Sequence, residues 1–498
     1  MSGGSSLCQW PEESMNKVDR VRQLPDRAMA TQAASPPLLN IERSGSCRTR
    51  STQFAASIGL SALFLLVYGW TNWFTAQRAD VPTLFFEWER LIPFVPLMIA
   101  PYMSIDLFFV AAPFLCRNQN ELATFTKRIA AATIVAGICF LLFPLRFAFP
   151  RPHASGWLGA FFDWFRAMDQ PYNLLPSLHI AFRTILAQIY ARHTGGILRA
   201  ASNVWFILIG LSAVLTYQHH VMDVVAGFAL GAYCLYFIQE SSWRLPVIEN
   251  RRVGAYYAIG TLVAGMFVIL WWPWGALLLW PMIALAVTAA AYFGLGPGIF
   301  RKRDGLLPWT TWWALGPVLL GQQLSRLYYR RQCRAWDELT PRVWIGSTLN
   351  RREAATAVQQ GVTAVLDLTA EFSEPKVLRA LVYRNIPILD LTAPSIDQLR
   401  EIAAFIEEQS GQGIVFIHCK IGYSRTAAAA AAYLLFTRKA GGIEEAIALL
   451  RQVRPSIVVR PEVVSVLSDF ARSLGSAGGV DLWSSANVNF RTGSGGAL

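Results

Sequence analysis

Between Phe54 and Ile299 the chain returns repeatedly to apolar stretches long enough to cross a bilayer, and no other feature restricts its fold as much. A spanning helix needs about 20 apolar residues. Runs of that order lie at roughly 54–76, 91–115, 129–149, 174–191, 200–219, 221–239, 253–273 and 275–299. In hydrocarbon every backbone N–H and C=O must be satisfied within the protein, so these runs predict eight helices in a polytopic bundle. The cations punctuate them: Arg117, Lys127 and Arg128 follow the second run, Arg192 and Arg199 the fourth, Arg244, Arg251 and Arg252 the sixth, and Arg301, Lys302 and Arg303 the eighth. By the positive-inside rule these connections face the cytoplasm, together with the polar, basic residues 1–50, which read as a disordered cytoplasmic tail.

Composition fits this frame. With 54% hydrophobic and 15% charged residues the chain is too apolar for an ordinary soluble protein. Its net charge of +12 follows the membrane topology, and no nucleic-acid motif accompanies it, so nucleic acid is excluded as a partner. The seven cysteines have neither a pairing pattern nor a metal-ligand spacing, and neither a disulfide framework, a metal nor another cofactor is expected. Trp309 to Leu324 is apolar and Trp-rich, yet Arg301 to Arg303 precede it and Arg326, Arg330, Arg331 and Arg334 follow it. Basic flanks on both sides predict a segment lying in or dipping into the inner leaflet, within a linker over 301–335, with a ninth span as the alternative.

Beyond residue 335 the pattern changes. The apolar run Ile414-Val415-Phe416-Ile417 leads into His418-Cys419-Lys420-Ile421-Gly422-Tyr423-Ser424-Arg425-Thr426 and then into the alanine-rich Ala427 to Ala432. A strand, a tight loop and a helix in that order form an anion bowl, because the loop N–H groups and the positive end of the helix converge on it. Lys420, Ile421, Gly422, Tyr423, Ser424 and Arg425 would bind the phosphate. A thiol at the rim, Cys419, beside a helix N-terminus and cations, loses its proton easily and becomes a nucleophile. Arg425 can hold two phosphate oxygens at once, and the Thr426 hydroxyl can donate to the sulfur as it leaves.

This loop resembles the C-x5-R-[ST] signature of the cysteine-dependent protein tyrosine and dual-specificity phosphatases, and the resemblance runs over about residues 340–472. It includes strands at Val343 to Ser347 and Gly361 to Thr369 and the pair Arg454-Pro455. The resemblance implies an α/β domain over 336–475 and an upstream Asp that protonates the leaving oxygen. Asp390, at the end of the apolar run 386–389, is the choice; Asp397, in the first turn of a helix beginning near Ser395, is the runner-up, and Asp367 reads as structural. The Gly/Ser-rich residues 476–498 read as a disordered tail.

A second constellation lies among the membrane runs: Arg151-Pro152, Pro176-Ser177-Leu178-His179, and His219-His220-Val221-Met222-Asp223, all at the outer face in this topology. His219 and Asp223 are four apart, which on a helix stacks imidazole over carboxylate and raises the nucleophilicity of the ring. The set, within 51–300, resembles the type 2 phosphatidic acid phosphatases (PAP2). That resemblance implies that Arg151 binds phosphate, His179 protonates the leaving alcohol, His219 attacks phosphorus, and Asp223 orients it. Pro144 stands where that family has a Lys, and Ser212-Ala213 where it has Ser-Arg, as in a branch that includes sphingolipid headgroup transferases. Asp106, inside the second run, is a further acid without an assigned partner.

The expectation is a bifunctional membrane phosphatase: a helical bundle acting on a phospholipid or lipid phosphate from outside, and a cytoplasmic cysteine phosphatase acting on a phosphoprotein or a lipid headgroup phosphate. A headgroup phosphotransferase with an attached phosphatase, and a membrane-anchored protein tyrosine phosphatase, are the alternatives.

Overall fold

The computed structural model describes residues 50–150, 152–168, 171–240 and 244–476. Arg151, the tail foreseen over 1–50 except Arg50, and the tail foreseen over 476–498 except Ser476 lie outside them. The helical part comprises α1 (Arg50–Ala76), α2 (Ile99–Leu115), α3 (Gln119–Leu142), α4 (Gly156–Met168), α5 (Leu178–His193), α6 (Gly196–Leu215), α7 (Val221–Phe237), α8 (Arg251–Leu270) and α9 (Leu279–Ala290), followed by α10 (Trp309–Arg330).

Each of the eight apolar runs forms a helix, and among the described residues six helical segments are long and apolar enough to cross a membrane: Arg50–Ala76, Pro96–Leu115, Gln119–Leu142, Gly196–Leu215, Arg251–Leu270 and Trp274–Phe300. The remaining two, α5 and α7, have 16 and 17 residues. At 1.5 Å per residue they are about 25 Å long, near the lower limit for a spanning helix. The third run is displaced from the position expected for it. Asn118 caps α3 by accepting from the Glu121 N–H at 2.8 Å, so the helix begins at Gln119 and takes in Lys127 and Arg128, which the charge pattern had assigned to a loop. Arg128 is buried, and its guanidinium is satisfied by Ile238 O at 2.9 Å and Gln188 Oε1 at 3.1 Å.

α5 and α7 approach closely because α7 carries Gly227 and Gly231, one helical turn apart, on the face toward α5. A Cβ at Gly227 would stand 2.3 Å from Ser177 O, and one at Gly231 2.8 Å from Ala181 O. Small residues at this spacing let helix backbones touch. At the head of the pair the Ser177 N–H donates to Asp223 O at 3.0 Å. At the other end of α7 the Tyr236 hydroxyl donates to Ile299 O at 2.8 Å, on the approach to Lys302.

The C-terminal part is built on one sheet of β1 (Trp336–Thr340), β2 (Val343–Ser347), β3 (Val362–Thr369), β4 (Val382–Ile388) and β5 (Ile414–Cys419), in the order β1-β2-β5-β3-β4. β1 runs antiparallel to β2 and the other pairs are parallel. Around it lie α11 (Arg351–Gln359), α12 (Lys376–Arg379), α13 (Ile396–Ser410), α14 (Ser424–Phe436), α15 (Ile443–Val453) and α16 (Pro461–Ser476). Alanines 427–432 are all buried, so α14 lies flush in the core, and alanine is also the strongest helix former. With β5 between β2 and β3, Cys419 emerges at the carboxyl edge of the parallel strands, where α/β folds place their ligands.

The two parts are pinned together. Buried Lys302 pairs with Asp367 and donates to Thr369 O at 3.1 Å. Tyr292 donates to Asp390 O at 2.9 Å and Asn250 to Leu391 O at 2.7 Å. α10 touches the α/β domain near both ends: the Leu307 N–H just before it bonds Ser373 Oγ at 2.9 Å, and Arg330 reaches Thr348 O at 3.3 Å and pairs with Glu353.

Candidate active sites

Cys419 is 3% exposed at the end of β5, and its carbonyl accepts from the Thr348 N–H at 2.8 Å. The loop that follows turns at Gly422, whose φ of +75° suits glycine and where a Cβ would stand 2.6 Å from Gly346 O. Arg454 clamps this loop from below, donating to Gly422 O and Ile421 O at 3.1 Å each and pairing with Asp337 at 2.6 Å. Arg425, the second residue of α14, is held in a bidentate pair by Glu371, at 2.6 and 3.1 Å, and by Ile388 O at 2.9 Å. It also reaches Leu368 O at 3.4 Å, and Asp390 lies 3.3 Å away. Thr426 is fully buried, with its hydroxyl 3.4 Å from Gly346 O.

Asp390 follows β4 and lines the same cavity of about 670 Å³ as Cys419, Lys420, Ser424 and Arg425. Burial by itself would raise its carboxyl, but Arg425 and Lys420 outweigh that and hold it below the usual carboxylate range. Lys420 bonds Asp390 at 3.3 Å and Gln322 of α10 at 2.7 Å. Asp397 is exposed in the first turn of α13, where its partner is Arg400 at 3.3 Å. Asp367 is fully buried and serves Lys302, the Tyr383 hydroxyl at 2.7 Å and the Thr369 N–H.

Behind Cys419, His418 stands in a buried cluster with Asp367, 3.9 Å away, and Glu374, 3.4 Å away. Burial pushes the His418 imidazole down to about 4 against the pull of Asp367, so it is neutral at physiological pH. The three residues have metal-ligand chemistry, but the Lys302 ammonium already supplies the positive charge at Asp367.

The second group gathers at the heads of α5 and α7. His219 precedes α7, one residue before its cap, so it does not sit on the helix as the four-residue spacing suggested. The cap brings it near Asp223 all the same: the Asp223 carboxylate accepts the His220 N–H at 2.8 Å and lies 3.6 Å from His219 Nδ1. His220 is fully engaged. The Ala148 N–H donates to its Nε2 at 3.1 Å, so Nδ1 carries the proton and donates to Glu89 at 2.9 Å. Rings of Phe85, Phe147 and Phe149 enclose it. His179, in the first turn of α5, stacks on Tyr102 with centroids 4.1 Å apart, and its Nε2 has no hydrogen-bond partner among the described residues. The cavity bounded by His219, Phe147 and Tyr217 is only about 10 Å³, closed to a phosphate in this conformation.

A family model described as the PAP2 superfamily matches residues 102–237, and one described as "Dual specificity phosphatase, catalytic domain" matches 343–473. The chain joins a PAP2 domain to a dual specificity phosphatase domain. Its domain content is that of a phosphoric monoester hydrolase. Phosphatidylglycerophosphate phosphatase PTPMT2 of Arabidopsis thaliana is 27% identical over 163 residues, covering 31% of this chain and 71% of that protein. Phosphatidylglycerophosphatase and protein-tyrosine phosphatase 1 of Homo sapiens is 35% identical over 92 residues, covering 18% and 45%. Protein phosphatase Slingshot homolog 3 of Rattus norvegicus is 29% identical over 127 residues, covering 25% and only 19%. The crystal structure of Tk-PTP in the active form is 28% identical, covers 28% of this chain and 97% of that one, and gives a TM-score of 0.26.

In the dual specificity phosphatase domain the structure brings Cys419, Lys420, Ser424, Arg425 and Asp390 to one cavity. In the PAP2 domain it brings His219 to Asp223 and ties the head of α5, which carries His179, to that of α7. Sequence reasoning missed Glu371 and Glu89, both almost fully buried, each of which positions a residue of a site from far along the chain. It also missed α4 and the clamp made by Arg454. Asp106 is exposed on α2, one turn after Tyr102.

Proposed function

We propose that the chain is a bifunctional membrane phosphatase whose two sites face opposite sides of the bilayer. At the cysteine site the Cys419 thiolate attacks phosphorus, the ester P–O bond breaks, and Asp390 gives its proton to the leaving oxygen. Arg425 and the loop N–H groups from Lys420 to Arg425 hold the phosphoryl oxygens. Water, deprotonated by the Asp390 carboxylate, then breaks the phosphocysteine bond and releases inorganic phosphate, while Thr426 supports the departing sulfur. The observation that carries this reading is the convergence of nucleophile, guanidinium and carboxylate on one cavity, with Arg425 oriented in advance by Glu371. Arg425 and Lys420 hold Asp390 ionised. A bound phosphate dianion would draw Arg425 and Lys420 toward itself and free the carboxyl to take up a proton.

At the membrane site His219 attacks the phosphorus of a lipid phosphate, Asp223 steadies the resulting ring, His179 protonates the leaving alcohol, and Arg151 binds phosphate. Full occupation of both His220 nitrogens supports His219 as the nucleophile of the adjacent pair. Opposite sidedness is supported by α7, which begins at the histidine site and ends against Ile299 beside Lys302, and by the cationic connections; the phosphatase domain is assigned to the cytoplasm. The relatives carry both phosphatidylglycerophosphate and protein phosphatase in their names, so lipid and protein phosphoesters both remain within the class.

The test is double. In the purified full-length chain Cys419→Ser should abolish hydrolysis of a soluble aryl phosphate and leave turnover of vesicle lipid phosphate by the histidine site, whereas His219→Ala should remove label trapped on histidine and spare aryl phosphate hydrolysis. Full aryl phosphate turnover in Cys419→Ser, or histidine labelling that survives His219→Ala, would refute the respective assignment.

A further inference from the structure

The cavity at Cys419 is not bounded by the phosphatase domain alone. Its floor is the phosphate loop with Arg425 and Asp390, but its opposite wall is made by Tyr257 of α8, Leu285 of α9 and Val318 and Gly321 of α10. α8 and α9 belong to the segments Arg251–Leu270 and Trp274–Phe300, which are apolar and long enough to cross a membrane. The catalytic cleft therefore opens along the flank of membrane helices. Gln322 marks the seam, because from α10 it accepts from Lys420 of the phosphate loop at 2.7 Å. Tyr292 and Asn250 fix the Asp390 segment to the same helices.

Such a cleft discriminates by chemistry. A phosphopeptide seated in it would lay backbone N–H and C=O groups against Leu285 and Val318, whose side chains offer them no hydrogen bond. A hydrocarbon chain has no polar group to lose there and gains burial along the whole wall. The volume, about 670 Å³, is of the size that accommodates a ligand well beyond a phosphate group.

We propose that the cysteine site is assembled jointly by the phosphatase domain and helices α8 to α10, and that its substrate is a membrane lipid ending in a phosphate monoester. The phosphate enters the loop while the apolar remainder lies along α9 and α10, so the ester is cleaved without leaving its leaflet. Inorganic phosphate departs to water, and the lipid alcohol, carrying the proton from Asp390, stays in the bilayer. This rests on the cysteine-phosphatase reading above.

The experiment uses the full-length chain in lipid nanodiscs with His219→Ala in the background, so that the histidine site contributes nothing. The probes are an aryl phosphate, glycerol 3-phosphate, a diacylglycerol phosphate and a phosphotyrosyl peptide. The expected result is a kcat/KM that rises at least tenfold from glycerol 3-phosphate to the diacyl ester and exceeds that for the peptide. Gly321→Trp is the discriminating variant, since a side chain there meets nothing within 4 Å and projects from the cleft wall. It should lower the ratio of diacyl to aryl kcat/KM about tenfold, and Leu285→Asn should move the same ratio in the same direction. A flat dependence on acyl chains, a preference for the peptide, or an unchanged ratio in both variants would overturn the proposal. Failure of the His219→Ala chain to hydrolyse even the aryl phosphate would overturn the cysteine reading itself, and this inference with it.

Discussion

Gly227→Ala is a one-carbon change that should silence one site and spare the other. The new Cβ would stand 2.3 Å from Ser177 O and 3.0 Å from Ile180 Cβ, and the first of these is backbone that cannot rotate aside. Restoring ordinary contact requires α5 and α7 to part by about 1 Å. Overpacking of this kind costs about 1–3 kcal/mol, against which alanine returns about 1 kcal/mol of helix propensity over glycine, so the bundle should still fold. Catalysis is less tolerant, because Ser177 leads into the turn bearing His179 while Asp223 lies one turn before Gly227. A displacement of about 1 Å between reacting groups costs on the order of a hundredfold in rate. The assay is release of inorganic phosphate from lipid phosphate in vesicles by a Cys419→Ser chain, alongside aryl phosphate hydrolysis by a chain with Cys419 intact. The expected outcome is a fall of about a hundredfold in the first and no more than a twofold change in the second. Lipid turnover within threefold of the parent chain would refute the idea that the α5–α7 approach sets the histidine geometry.

Asp390→Asn should slow alkyl phosphates far more than aryl phosphates, because only a poor leaving oxygen needs the proton. Since Asp390 is held below the usual carboxylate range in the free enzyme, its protonated fraction grows as pH falls, and the wild-type advantage in alkyl kcat/KM over Asp390→Asn should widen toward acid pH; a gap independent of pH would exclude it as the acid. Lys302→Met leaves Asp367 buried without its cation and should cost about 3–5 kcal/mol, seen as a lower Tm of the full chain in detergent. Burial raises the Asp367 carboxyl and Lys302 more than offsets this, holding it down at about 2. The pair's stabilisation is thus present above the ordinary Asp range and lost as pH falls toward 2, so the variant's Tm deficit should be full near neutral pH and narrow toward acid. An unchanged Tm and acid profile would show that the pair contributes nothing.

Much of this architecture is local in origin and was legible for that reason. The eight apolar runs became helices, and strand, loop and helix around Cys419 fell where an apolar run, a glycine and an alanine tract put them. What escaped depends on partners distant in sequence. Arg128 counts as a loop cation in a charge pattern, and only the fold supplies Ile238 O and Gln188 to bury it. Glu371 meets Arg425 across 54 positions and Glu89 meets His220 across 131, with no periodicity to announce either pair. Asp390 could be chosen from its place after a strand, yet the membrane-helix wall facing it belongs to segments that, read alone, were only spans.

With His219 as the proposed nucleophile, its Nδ1 lying 3.6 Å from Asp223 also bears on regiochemistry. With Nδ1 turned to the carboxylate, the lone pair left for phosphorus is on Nε2, so the trapped intermediate would be the Nε2-phosphoryl isomer, a species whose phosphorus resonance differs from that of its Nδ1 counterpart. Whichever lipid occupies the histidine site, that isomer would be a signature written by the helix cap and not by the substrate.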